Sequence, residues 1–398
     1  MKPTMIVRLV AGAALVAPFG MSGAALAQSP IKIGVIQTLS GPLSPPGIDA
    51  MNGFSLFFEE KGMKIAGRPI QLVKEDDAAN PAQAMERTRR LVERENVHLL
   101  SGITSSAVAY AVRDYVDAKE IPLVIAGAAG ASDLTNARAS PYIFRTSFSN
   151  YQFTAPFGPY ACQKLGYKRI AIMASDFVTG HEQSSAFKGA YEKAGCKVVK
   201  EIFAPIGTVD FAPFLTQVPL SEVDAVWAMF FGADAIGYVK QYDAFGLKAK
   251  LPLVGSGGLP DEHLLPAMGQ SGTGIVTSTF YSTTFDTPAS KAFTEALKAK
   301  YNSVSNATSA SGYVAAMAIA AAIEAVNGKI EDKKAFMAAL AKTELPTSPL
   351  GSFRFDAKQN VIFDMKVTRV ESRNGGPNYP WVIDNLGNGL DQFWQYKP

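Results

Sequence analysis

Ser105 and Ser106 are the residues whose type and position most directly suggest a chemistry. They follow the apolar run Val97 to Leu100 and open a segment in which Val108, Ala111, Val112, Tyr115 and Val116 recur at helical spacing. Two hydroxyls at a helix start, beside first-turn N–H groups that lack carbonyl partners, make an acceptor for a carboxylate. The same pair also suits an ordinary helix cap, and position alone leaves both roles open. Phe177, Phe230 and Phe231 follow two apolar runs ending at Ala174 and Met229, where a predicted strand gives way to a loop. Any one of them is ordinary core material, but three at strand ends suit an apolar, aromatic ligand. Tyr151 and Tyr281 are weaker candidates.

Other residues favour structural roles. Asp76-Asp77 offers a carboxylate pair, yet acids just before Asn80-Pro81 suit turn geometry and helix capping. Arg145, on a short predicted strand, is expected to be a structural ion-pair partner. The three histidines, His98, His181 and His263, stand at no metal-ligand spacing with one another or with cysteine. Gly255-Ser256-Gly257-Gly258 is not a nucleophile elbow, and no phosphate-binding glycine loop of either common type is present. The sequence therefore points to no enzyme, no metal and no cofactor. Cys162 and Cys196 are the two cysteines. In an oxidising compartment they suggest one disulfide, with two buried thiols as the alternative. The bridge is favoured because Cys162 closes a predicted helix and Cys196 opens the next strand.

The compartment is indicated by the N-terminus. Lys2 and Arg8 flank a short apolar stretch to Ala17, and Ala25-Leu26-Ala27 has the small-x-small form of an export cleavage site, placing the mature start at Gln28. Pro18, Gly20 and Gly23 interrupt the stretch before it reaches the roughly 20 residues a membrane span requires. About 370 residues remain, which suits two lobes better than one core. The chain carries 38 basic and 35 acidic residues, two of the basic ones in the leader. Near-neutral charge argues against a nucleic-acid partner.

The elements that must position these residues alternate. Ile31 to Gln37, Ile70 to Lys74, Val97 to Leu100 and Leu123 to Ile125 read as buried strands, and Asn80-Pro81 starts a predicted helix running to Glu95. A second series follows: helix Tyr151 to Leu165, strand Arg169 to Ala174, helix His181 to Ala194, strand Lys197 to Phe203, strand Ala225 to Met229, helix Ala233 to Phe245 and strand Leu251 to Val254. Strands separated by helices predict an α/β fold with mostly parallel sheets and right-handed crossovers. Helices return at Ser290 to Tyr301, Ser309 to Val326 and Lys333 to Lys342. The tail then changes to a predicted antiparallel hairpin, Phe353 to Phe355 and Val361 to Val370.

Several segments carry a family likeness in order along the chain: Ile31 to Gly47 with its Ser-Gly-Pro-Leu-Ser-Pro-Pro-Gly loop, Gly67-Arg68-Pro69-Ile70 leading to Asp76-Asp77, Gly102-Ile-Thr-Ser-Ser106, Ile121 to Ala126, Tyr142 to Thr146, and Gly351-x-Phe-Arg-Phe-Asp356. Together they resemble the branched-chain-amino-acid type of periplasmic substrate-binding protein that serves ABC importers. The resemblance implies a type I periplasmic-binding-protein fold, two Rossmann-like lobes around a central cleft. Residues 28–147 and 278–345 would form lobe one, and 148–277 and 346–398 lobe two. It further implies a periplasmic monomer that captures a small organic carboxylate and presents it to permease subunits. The carboxylate would be held by Ser105 or Ser106 with the backbone of Ala126, Gly127, Ala128 and Ala129, and the ring or chain by Phe177 and Phe231. Where amino-acid-binding relatives place acids against the ligand ammonium, this chain has Gly257 and Asn150. An unpaired buried ammonium is costly, so the expected ligand is an amine-free, aromatic or phenyl-substituted acid. The alternatives are a branched-chain or other amino acid, or a ligand-sensing receptor domain.

Overall fold

The computed structural model describes residues 1, 3–5 and 29–394. The leader's apolar core and the expected mature start at Gln28 lie outside the described residues. In chain order the first elements are β1 (Ile31–Gln37), α1 (Ser44–Glu60), β2 (Lys64–Ile65), β3 (Arg68–Asp76), α2 (Pro81–Glu93), β4 (Leu99–Gly102), α3 (Ser106–Ala118), β5 (Leu123–Ile125) and β6 (Ile143–Arg145). The middle of the chain forms α4 (Asn150–Thr154), α5 (Phe157–Gln163), β7 (Arg169–Ser175), α6 (Val178–Lys193), β8 (Lys197–Ala204), α7 (Ala212–Leu215), β9 (Ala225–Met229), α8 (Gly232–Ala244), β10 (Leu253–Ser256), α9 (Leu265–Met268) and β11 (Val276–Thr279). Last come α10 (Pro288–Tyr301), α11 (Ala307–Ala325), α12 (Lys333–Ala341), β12 (Glu344–Leu345), β13 (Phe353–Phe355), β14 (Val361–Ser372) and β15 (Asn378–Leu390).

Two sheets result, ordered β2-β3-β1-β4-β5-β6 and β12-β13-β14-β11-β10-β9-β7-β8, with β15 added to β14. The long strands of the first sheet run parallel, as do β7 to β11 of the second, while β14 joins β11 antiparallel. This is the expected α/β architecture of two lobes. The returning helix α11 packs lengthwise on α1 of the first lobe. Its 19 residues are apolar almost all round because it is a buried core helix. Strand β11 pairs in the second sheet through Thr279, so the chain leaves that sheet just after it.

Local chemistry explains the boundaries. Asn80 caps α2 by accepting the N–H groups of Ala82 and Gln83 at 2.9 and 3.1 Å, with Pro81 in the first turn. The single helix expected from Tyr151 to Leu165 is two, α4 and α5, broken around Pro156, which has no N–H to continue the ladder.

Arg145 ends β6 at the first crossing and is fully buried. Its Nε donates to Asn360 Oδ1 at 2.6 Å, Nη1 to Ala131 O at 2.7 Å, and Nη2 to Thr135 Oγ1. The expected ion pair is absent among the described residues: three neutral oxygens take the guanidinium's donors instead. Burial pulls its pKa down to about 10, while the more distant carboxylates Glu182 and Asp356 hold it up. The backbone N–H of Arg145 also bonds Gln359 O at 2.9 Å, tying the edge of the first sheet to the β13–β14 turn.

Candidate functional site

The parallel strands of both sheets end facing one another, and a cleft of about 700 Å³, counting its open mouth, lies between the lobes. On the first lobe, Ser105 is the extended residue that starts α3, 4% exposed, and among the described residues its side chain makes no cap hydrogen bond. Ser106 lies in the first turn and its Oγ accepts from Thr179 Oγ1 of α6 at 3.0 Å, so it is engaged across the lobes. After β5, the N–H groups of Ala126 and Gly127 are already bonded to Gly102 O at 2.9 and 3.1 Å. Ala128 reaches the cleft wall, while Ala129 is fully buried behind it. The start of α3 and the Ala128 loop thus follow adjacent strands β4 and β5; Ala128 lines the cleft, whereas Ser105 and Ser106 are not among its lining residues.

The second lobe supplies rings. Phe177 and Phe231 are the residues immediately before α6 and α8. Phe231 lines the cleft, and both rings flank a narrower gap beside Pro42 and Leu43 of the first lobe. Phe230 turns the other way into the lobe-two core, stacked on Tyr238 at 4.4 Å. The walls contain further rings that were not singled out from the sequence, Phe148 and Phe153, and the weaker candidate Tyr281 also lines the cleft. Tyr151 instead lines a separate groove beside α6.

Gly257 is on the cleft wall, where a Cβ would sit 2.5 Å from Ser278 O and 2.9 Å from the Phe153 ring. No side chain fits there. Asn150 is fully buried, and its amide is taken by Glu182 Oε2 at 2.9 Å and by Gln183 Nε2 at 3.1 Å. Its backbone N–H bonds Gly130 O of the first lobe at 2.6 Å, and it does not line the cleft.

The expectation of a cleft without acids needs correction. Asp49 of α1 and Asp261, Glu262 and His263 of the loop after β10 all line it. His263 Nδ1 lies 3.0 Å from Asp49 Oδ1, and Asn306 Nδ2 donates to Asp49 Oδ2 at 2.7 Å and to Asp261 Oδ1 at 2.9 Å. Glu262 Oε1 accepts the N–H of Thr283 at 2.9 Å. Burial, then the neighbouring Asp49 charge, pushes Asp261 above the usual carboxylate range. Burial, then Asp261, does the same to Glu262. His263 is raised by its hydrogen bond to Asp49, against a desolvation that lowers it. The carboxylates join residues 214 and 257 positions apart in sequence, so no local spacing announces them.

Cys162, at the end of α5, is bonded to Cys196, just before β8, with Cα atoms 5.9 Å apart. Among the described residues no group of three or more His, Cys, Asp or Glu is placed to hold a metal ion.

The sequence profile of a family described as periplasmic binding protein matches residues 30–377. The Leu/Ile/Val-binding protein homolog 6 of Brucella melitensis is 31% identical over 351 residues, 87% of this chain and 88% of that one. An ABC transporter substrate-binding protein from Sphaerobacter thermophilus superposes with a TM-score of 0.85 at 40% identity, covering 91% of this chain and 99% of that one. A solute-binding protein of an ABC transporter from R. palustris, solved in complex with benzoate, has a TM-score of 0.85 at 30% identity over 91% and 97% of the two chains. With the two-lobed fold and the cleft between facing strand ends, these matches show that the chain belongs to the periplasmic binding proteins, a family of binders and not enzymes, as the solute-binding component of an ABC transporter.

Proposed function

We propose that the cleft binds a small aromatic carboxylic acid and that the closed, loaded protein delivers it to the permease of its transporter. The observation that carries this reading is the ring wall: Phe148, Phe153, Phe231 and Tyr281 line the cleft together with Pro45 and Pro46. Burying a flat apolar ring there contributes roughly 25 cal/mol per Å² removed from water. The carboxylate is directed to Ser105 and the start of α3, where the hydroxyl and first-turn N–H groups favour an anion. The benzoate complex of the R. palustris protein supports the ligand class. An affinity about micromolar corresponds to roughly 8 kcal/mol.

A second reading, an amino acid with its ammonium against Asp261 and Glu262, is favoured by those two cleft carboxylates and by the name of the Brucella relative. Calorimetric titration with benzoate, 4-hydroxybenzoate, phenylalanine and leucine separates the two. Tight binding of an amine-free acid with weak binding of leucine is expected. Tight leucine binding with none of the acids overturns the ligand class and leaves the transport role standing.

A further inference from the structure

The first turns of α6 make one group of contacts between the lobes away from the ring wall. Glu182 is held within its own lobe by Asn150 Nδ2 at 2.9 Å. Its two carboxylate oxygens also reach the opposite lobe: Oε1 accepts from the Tyr110 hydroxyl of α3 at 2.8 Å, and Oε2 accepts the backbone N–H of Ser132 at 2.9 Å. One turn earlier, Thr179 donates to Ser106 at 3.0 Å. Glu182 is therefore clamped by one donor of its own lobe and two of the other. The buried Arg145, which has no carboxylate in contact, feels the Glu182 charge from the same side. Glu182 is absent from the wall of the ring-lined cleft and borders the separate groove beside α6. It is placed to act on closure without touching a ligand.

We propose that Glu182 is a closure clasp: its bonds to Tyr110 and Ser132 hold the lobes together, so that it sets how long a bound solute is retained. The three residues come from α6, α3 and the loop after β5, so the bonds join elements of both lobes. Rotating one lobe away leaves the carboxylate with Asn150 and water, and returns Tyr110 and Ser132 N–H to solvent. Hydrogen bonds to a charged group are the strong kind. They act here in a half-buried seam where water competes only in the open form. The clasp adjoins the ligand end of α3 through Ser106, next to the Ser105 hydroxyl, so closure and carboxylate capture are mechanically linked. The inference rests on the solute-binding role alone and holds whichever acid or amino acid occupies the cleft.

The test reads closure directly, without ligand. Lys298→Cys on α10 and Lys250→Cys after α8, both exposed, carry spin labels with the Cys162–Cys196 bridge intact, and electron–electron distance measurement reports the separation of the lobes. The wild-type clasp is expected to show a short-distance population. In Glu182→Ala the ratio of long to short distances should rise roughly tenfold or more, the scale for losing charge-assisted bonds. Tyr110→Phe, which removes one donor, should shift it less, and Glu182→Gln, which keeps an acceptor oxygen, should recover part of the short population. Tm measured alongside separates a loss of closure from a loss of fold, and Tyr110→Phe serves if the alanine variant unfolds. A wild-type distribution with the long distance alone, or variants that coincide with wild type, overturns the proposal.

Discussion

Replacing Gly258 by alanine tests whether the ring wall binds the ligand. A Cβ on Gly258 would stand 1.8 Å from Phe231 Cε1 and 2.4 Å from Cδ1. The ring edge must retreat by about 1.6 Å to reach an ordinary 3.4 Å contact. Gly258 is not among the glycines with positive φ, so alanine takes its backbone without strain. The displaced ring either swings into the cleft and takes ligand volume or turns away and leaves a gap. In both cases the ligand loses a ring face: about 40 Å² of contact is worth about 1 kcal/mol, and the aromatic pairing adds about 0.5–1.5 kcal/mol. The sum, about 1.5–2.5 kcal/mol, weakens binding roughly tenfold to seventyfold. Calorimetry with whichever acid binds the wild type gives the Kd, and a thermal scan should show little change in Tm. Phe231→Ala should lose a similar amount, and adding Gly258→Ala to it should cost almost nothing more, because the clash partner is gone. Affinity within twofold of wild type in Gly258→Ala, or full additivity in the double variant, would refute the placement of Phe231 against the ligand.

Three further outcomes follow from the same geometry. His263 is raised by Asp49 of the opposite lobe, so its contribution to closure is complete below the ordinary imidazole value of about 6.5 and is lost as pH rises through the raised value. Ligand affinity should therefore fall a few-fold from mildly acidic to alkaline pH, a small effect because the His263 side chain is 45% exposed; His263→Gln should have a shallower profile, and an equal slope in both proteins removes the assignment. Arg145→Ala leaves the Ala131 carbonyl, Thr135 and Asn360 without their buried donor, so urea unfolding should show a loss of about 3–5 kcal/mol, and a loss under 1 kcal/mol would contradict the buried network. The Cys162–Cys196 bridge spans a sequence separation of 34 and should stabilise lobe two by about 3–4 kcal/mol; thiol titration of the denatured, unreduced protein should find no free thiol, and two free thiols would remove the bridge.

What the sequence disclosed and what it hid divide along contact range. Ile31 to Gln37 and Ala225 to Met229 are unbroken apolar runs because both faces of a parallel strand are covered, and they fold as strands over the same residues. Asn80-Pro81 is a local signal, and it caps a helix as read. Helix α1 went unread because Ser44-Pro45-Pro46-Gly47 reads as loop, and its apolar residues are buried on several sides, so no single stripe stands out. Strand β15 escaped because Asn385, Gly387 and Gly389 interrupt its alternation where the register to β14 shifts. On the cleft wall, Phe231 was visible because a strand end followed by a helix start marks a ligand position in this class of fold; the same mark pointed to Ser105, which is not among the residues lining the cleft. Asp49, Asp261 and Phe148 carry no such mark: their meeting depends on the packing of two lobes, which periodicity does not encode.

The cleft joins two chemistries, and their arrangement constrains how a ligand enters. Asp49 is matched by His263 and by the Asn306 amide, all within a seam that ties α1 and the start of α11 to the loop after β10. Burial raises both Asp261 and Glu262 above the ordinary carboxylate range, with the Asp49 charge adding to it at Asp261 and the Asp261 charge at Glu262. An anionic ligand still meets an unfavourable field at that end. The Ser105 hydroxyl and the first turn of α3 give the opposite sign on the first lobe. In the proposed reading, an aromatic acid would lie with its carboxylate toward α3 and its ring against Phe231, its far edge toward Asp261 and Glu262. The competing amino-acid reading would place its ammonium against Asp261 and Glu262, where Asp261 Oδ1 already accepts from the Asn306 amide and Glu262 Oε1 from the Thr283 N–H.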